Sequence, residues 1–194
     1  MSGLTQVQEG VLGENEFWKL VVLQTNGRIE PRRPLPDDER IDFVIHAPGG
    51  IDPVLAVQVK TTFRTRRAGR ANRLFIHFDA PRSGLLTHPR YWYFLNHFDR
   101  SLMSVSNPVF FAPSTFVHRL AVPISANRVR FYLEASLDIR SKDRWAKHRT
   151  LVEEVGHRVE KTLEGVVMES PTQQAKWHAV FNGAVTLGTQ PAAA

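Results

Sequence analysis

Between Ile41 and Phe63 the chain reads IDFVIHAPGGIDPVLAVQVKTTF, two apolar strand-like runs joined by a segment dense in glycine and proline. Such a stretch leaves little choice but a hairpin. With a turn centred near Gly50, paired residues have numbers adding to about 100, which sets Asp42 opposite Gln58 and Arg40 opposite Lys60. Side chains alternate between faces along a strand. Asp42, Val44 and His46 then share a face with Gln58 and Lys60, and Ile41, Phe43, Ile45, Val57 and Val59 are expected in the core on the other. Opposed side chains start roughly 5 Å apart, so an acid, an amide and an amine gather at one end of an otherwise apolar hairpin.

That gathering is costly unless the charges serve each other or a ligand. A lysine at the end of a buried strand loses hydration and needs a compensating partner. Asp42 can be that partner in a structural ion pair. It can equally bind a divalent cation while Lys60 steadies a phosphate or an attacking water, since oxygen donors with retained waters suit Mg²⁺.

The surrounding chain fits one α/β or α+β domain built around a sheet. Val11, Leu12, Phe17, Leu20, Val21 and Leu23 predict an amphipathic helix over residues 8–24, stopped at Asn26-Gly27. A proline- and charge-rich loop follows. RTRRAGRANR is expected as a basic loop and LFIHFD as a strand, YWYFLNHFDRSLMS as a helix with a strand as the alternative, and PVFFAPS and RVRFYLEAS as strands. A long helix is expected from Ser141, as cap, to Gly165, with Val152, Val155, Val159 and Leu163 as its stripe. A short helix is expected over residues 172–181, and a frayed tail after it. One domain spans residues 1–170, its core about 8–80, and 171–194 is an appendage.

The 194 residues contain no cysteine, which removes disulfides, thiolate zinc sites and cysteine nucleophiles. Lysine and arginine outnumber the acids by 25 to 19, so a polyanionic partner such as nucleic acid is a reasonable expectation. The chain lacks a P-loop, an H-E-x-x-H and a G-x-S-x-G. Its apolar runs are strand-sized and its first residues do not form a secretory signal, so a cytoplasmic protein without membrane contact is expected.

A helix carrying a glutamate, then an aspartate, then about fifteen residues and (D/E/Q)-x-K on a hairpin resembles the PD-(D/E)XK nuclease superfamily, in particular its resolvase-like and restriction-endonuclease-like branches with a VQVK motif. The likeness covers roughly the first 80 residues. It implies a mixed central sheet flanked by helices, here with a C-terminal helical extension, and Mg²⁺- or Mn²⁺-dependent hydrolysis of DNA. By that resemblance Asp42 is the central metal ligand, with the Val59 carbonyl and Gln58 beside it. Lys60 orients water or phosphate. Glu16, which lies on one stripe with Leu12, Leu20 and Leu23, completes the site, with Glu14 as the alternative. Gln58 stands where glutamate is commoner, so a ligand charge is missing. Pro36, Asp37 and Asp38 stand several residues before Asp42.

Arg64, Arg66, Arg67, Arg70 and Arg73 follow Lys60 directly and are expected on phosphates. A homodimer or a specificity partner, and a setting in phage defence or DNA processing, follow from the same analogy. The rival expectations are a non-catalytic module of the same fold that binds nucleic acid or protein, and a ribonuclease.

Overall fold

The computed structural model describes residues 4–34, 40–46, 53–69 and 71–167. The turn around Gly50, residues Pro36, Asp37, Asp38 and Arg70, and the helix and tail expected after residue 170 lie outside them.

Helix α1 spans Gln6–Gln24. Thr5 caps it reciprocally with Gln8, and Asn26 and Gly27 take positive φ just beyond its end, as a helix stop requires. Strands β1 (Phe43–His46) and β2 (Pro53–Thr62) form the hairpin, with Phe43 opposite Val57, Val44 opposite Ala56 and Ile45 opposite Leu55. All three pairs add to 100, the register read from the sequence, and a bulge follows at His46.

β2 runs straight on into β3 (Thr65–Ala68), which turns back as β4 (Ala71–Pro81). The expected basic loop is therefore a β-ribbon. YWYFLNHFD is a strand too, β5 (Tyr91–Asp99), parallel to β2. It is not the expected helix, because it lies mid-sheet, where both faces are covered and alternation disappears from the sequence. β6 (Ser104–Val105) pairs with its end. β7 (Val109–Pro113), the short α2 (Ser114–Val117), β8 (Ala121–Pro123) and β9 (Arg128–Ser136) follow.

The expected long C-terminal helix is broken. Asp143 accepts hydrogen bonds from the Ser136 and Trp145 amides and pairs with Arg149 at 3.1 Å, which coils residues 141–148 around the fully buried Trp145. After β10 (Arg149–Thr150), helix α3 covers only Val155–Val167, passing through Gly165. Its stripe of Val155, Val159 and Leu163 is buried as expected.

The result is a mixed α/β fold with two sheets. The first has the order β1-β2-β5-β7-β10, with β6 on β5; the second is antiparallel, β3-β4-β9-β8. On one face of the first sheet, Phe43, Ile45, Val57, Val59, Phe94 and Phe111 pack against Phe17, Leu20 and Val21 of α1 and Val155, Val159 and Leu163 of α3. The two long helices lie on this face, and the short α2 adds Phe116 and Val117 to the other. On the other face Val44, Ala56, Tyr91, Tyr93, Phe110 and Ala112 meet Leu74, Ile76, Phe131 and Leu133 of the second sheet. Ile41, expected with Phe43, belongs to this second layer.

Candidate active site

β1 begins one residue after Asp42, and this early start shapes the site. The Asp42 amide still donates to the Val57 carbonyl at 3.0 Å, but its side chain takes over the next rung, with Oδ2 accepting the Val59 amide at 2.6 Å. Within a strand the N–H and C=O of one residue point to the same edge, so the Val59 carbonyl is directed to the side where Asp42 lies. Gln58 and Lys60 flank Val59 and project towards the second sheet.

Burial dominates the electrostatics. Desolvation pushes the Asp42 carboxyl up to about 6, and the Glu14 charge pushes the same way. The Val59 amide, Lys60 and Arg33 oppose this without cancelling it. Lys60 is shifted downward, first by burial, against the pull of Asp42 and Glu14. Its Nζ sits 5.2 Å from the centre of the Phe78 ring on β4, a cation–π contact. Asp42 and Lys60 thus face each other from adjacent strands without discharging each other's cost.

The helix acid that reaches this pair is Glu14. Gly13 makes that approach possible: a Cβ there would stand 1.6 Å from Thr61 Oγ1 and 2.7 Å from Thr61 Cβ, so only glycine lets α1 close onto β2 beside Lys60. Glu14 also pairs with Arg33 at 2.7 Å, and Arg33 lies 5.5 Å from the Phe43 ring. Glu16, the acid expected here, is buried elsewhere: Lys19 donates to it at 2.5 Å and Ser104 at 2.8 Å. The stripe used to orient it is displaced as well, since Leu23 is exposed and the buried residues are Gly13, Glu16, Phe17, Leu20 and Val21.

Gln58 is buried and its Oε1 accepts from the Tyr91 hydroxyl at 3.0 Å, a hydroxyl that also lies on the Arg40 carbonyl. Tyr93, across β5 from Gln58, touches His118 Nε2 at 2.8 Å, and His118 Nδ1 meets Thr87 Oγ1 at 2.7 Å. Burial lowers His118 to about 4 and raises Tyr93, so both are neutral near pH 7. Arg33, Tyr91, Tyr93 and His118 were not singled out from the sequence. Arg33 lies in a loop without periodicity, and the tyrosines lie in the apolar run expected as a helix.

Of the basic residues, Arg64 is exposed just after β2, and Arg66 and Arg67 are exposed on β3. Arg73, half-buried on β4, pairs with Glu134 at 3.3 Å. Among the described residues no group of three or more His, Cys, Asp or Glu is placed to hold a metal ion. The oxygen donors that converge are the Asp42 and Glu14 carboxylates and the Val59 carbonyl. Such hard oxygen donors suit Mg²⁺ or Mn²⁺.

No family model matches the chain, and no curated protein does. Among solved structures, that of a bacterial homing endonuclease, I-Ssp6803I, is similar at 16% identity with a TM-score of 0.46, over 87% of this chain and 99% of that one.

Proposed function

We propose that this chain is a metal-dependent nuclease that hydrolyses phosphodiester bonds in DNA. The observation that carries this reading is the Asp42–Lys60 pair with Glu14 beside it. One carboxylate and one amine are held desolvated, with the Glu14 charge acting on both, and Asp42 is left with a pKa pushed up to about 6. Titratable groups displaced in this way by burial and by specific charges are common at catalytic sites.

In this reading Asp42 and Glu14 would hold the cation, with the Val59 carbonyl as a third donor; Gln58, engaged by Tyr91, keeps β2 in place and supplies no charge. The bound cation would polarise the phosphate and acidify a water. Lys60, steered by the Phe78 ring, donates hydrogen bonds to the scissile phosphate or to the attacking water. Arg33 lies on the Glu14 side and offers a further donor to phosphate oxygens. Arg64, Arg66 and Arg67 hold the phosphates that run on from the cut. A second copy of the chain would be needed to cut both strands at once.

The test is incubation of the protein with supercoiled plasmid and with labelled RNA in Mg²⁺, Mn²⁺ or EDTA, beside Asp42→Ala and Lys60→Ala. Metal-dependent cutting lost in both variants is expected, with plasmid preferred to RNA. Cutting of RNA alone would make the enzyme a ribonuclease. No cutting by any form would leave Asp42 and Lys60 as a rim ion pair of a non-catalytic module.

A further inference from the structure

The outer face of the second sheet has no covering layer among the described residues. Alternation along β4 and β9 sends Leu74, Ile76, Phe131 and Leu133 inward, and sends Arg73, Phe75, His77 and Asp79 outward beside Arg130, Tyr132 and Glu134. His77 stands directly opposite Tyr132. The Phe75 ring stacks on Tyr132 at 6.5 Å and lies 5.8 Å from His77. Tyr132 is 43% exposed. Three rings thus lie together on an open antiparallel sheet, a placement that core packing does not require.

The cations around these rings are arranged at some cost. Arg66 on β3 stands directly opposite Arg73 on β4, a like-charge pair that weakens a ladder. Glu134 relieves Arg73, and Arg66 lies over the Phe75 ring at 5.6 Å. All four residues of β3 are exposed. Arg64, Arg66, Arg73, Arg128 and Arg130 border this face, against Asp79 and Glu134 as the acids upon it, while alternation turns Arg67 to the other side of β3. The same β2–β3 run connects Lys60 to this border.

We propose that this face binds single-stranded nucleic acid, with bases stacking on Tyr132, Phe75 and His77 and the phosphates following Arg64 and Arg66. Rings stack on any base, and arginines border the rings on two sides, so the occupant is a flexible strand with unpaired bases and not a duplex, whose bases are already stacked. The proposal goes beyond hydrolysis and needs no metal.

Binding of labelled oligothymidylate, oligouridylate and a duplex is measured by fluorescence anisotropy in EDTA, with the whole chain carrying Asp42→Ala. The single strands are expected to bind more tightly than the duplex, and the preference between the two oligomers identifies DNA or RNA as the source of the strand. Tyr132→Ala is expected to weaken single-strand binding about tenfold, the effect of losing one stacked base. Tyr132→Phe, which keeps the ring, retains the affinity. Arg66→Gln makes the salt dependence shallower by about 0.7 in log–log slope, the value of one phosphate contact on a single strand. Far-ultraviolet circular dichroism confirms folding, and His77→Ala, at an exposed position, serves as a second ring deletion if Tyr132→Ala is unstable. Unchanged affinity on loss of either ring, or a duplex bound as tightly as the single strands, overturns the proposal. Binding without cutting leaves it standing while the hydrolysis reading fails; cutting without ring-dependent binding does the reverse.

Discussion

Asp42 and Asp79 are both strand-associated aspartates with basic neighbours, yet the structure moves them in opposite directions. Asp79, on the open face, receives the Arg130 fork at 2.6 and 2.8 Å with Arg128 at 4.0 Å, and these partners hold its carboxyl below the usual range. Asp42 has an amine and an arginine within electrostatic reach as well, but burial outweighs them and its carboxyl rises to about 6. Proximity of opposite charge is therefore not what separates a settled ion pair from a candidate site. What separates them is whether the partners offset desolvation, and only Asp79 has that.

The largest expected contrast lies in activity. Asp42→Asn should lower metal-dependent cleavage by roughly 100- to 1,000-fold, the scale for losing a group that organises charge at the reacting phosphate. Asp79→Asn should leave the rate close to that of the parent. Initial rates of plasmid nicking in Mg²⁺ test both, and equal losses would dissolve the contrast.

Stability against pH comes next. The folded-state pKa of Asp42 is raised, so between about 4 and 6 the native chain holds a proton that the unfolded chain has released. Metal-free stability then falls as pH rises through that window, and the shift from 3.8 to about 6 is worth on the order of 3 kcal/mol in total. A cation on the ionised carboxylate should recover part of this, so Mn²⁺ should raise the melting temperature at pH 7.5 and leave it unmoved at pH 4.5. Asp42→Asn should remove both the slope and the metal response. Melting curves across pH, with and without Mn²⁺, decide it; a flat wild-type curve would mean that Asp42 is not desolvated as the structure has it.

Much of the Asp42 side was legible in the sequence. Strand alternation and a glycine-rich turn sufficed for the Phe43–Val57 register that brings Asp42 beside Val59, because hairpin register is a local property. Locating the helix acid needed packing detail. Leu23 and Val11 look like core but are exposed, while Gly13 is buried; the stripe facing the sheet is set by where Thr61 admits the helix, which no periodicity reveals. β5 was misread because a strand covered on both faces carries no alternation. The helix expected from Ser141 failed because Asp143 and Arg149 bond locally and bury Trp145 instead. The second sheet was the hardest part. RVRFYLEAS was read as a strand, but only pairing over long range shows that its outward residues join those of β4.

Glu14 and Glu16 sharpen the comparison within one helix. Glu14→Gln should reduce cleavage about tenfold or more by weakening the cation site, with the deficit narrowed at high Mn²⁺. Glu16→Gln, at a carboxylate that accepts from Lys19 and Ser104 at 2.5 and 2.8 Å, should leave the metal dependence alone. Titrating the rate with Mn²⁺ separates a metal-affinity defect from a general loss. If Glu16→Gln shifts the titration and Glu14→Gln does not, the helix is assigned to the wrong acid.

The smallest effect belongs to Asp79 itself and runs against intuition. Its carboxylate occupies the Arg130 guanidinium and draws in Arg128, two cations on the face assigned to a single strand. Neutralising it removes a repulsive charge and frees both forks for phosphate. Asp79→Asn should therefore tighten oligothymidylate binding a few-fold and steepen its salt dependence by about 0.7 for each arginine recruited. Anisotropy titrations at two or more salt concentrations read both quantities. A weaker complex would show that the Asp79–Arg130 pair presents the Tyr132 ring, through the hydrogen bond between Arg130 and Tyr132, and that this ordering outweighs the freed charge.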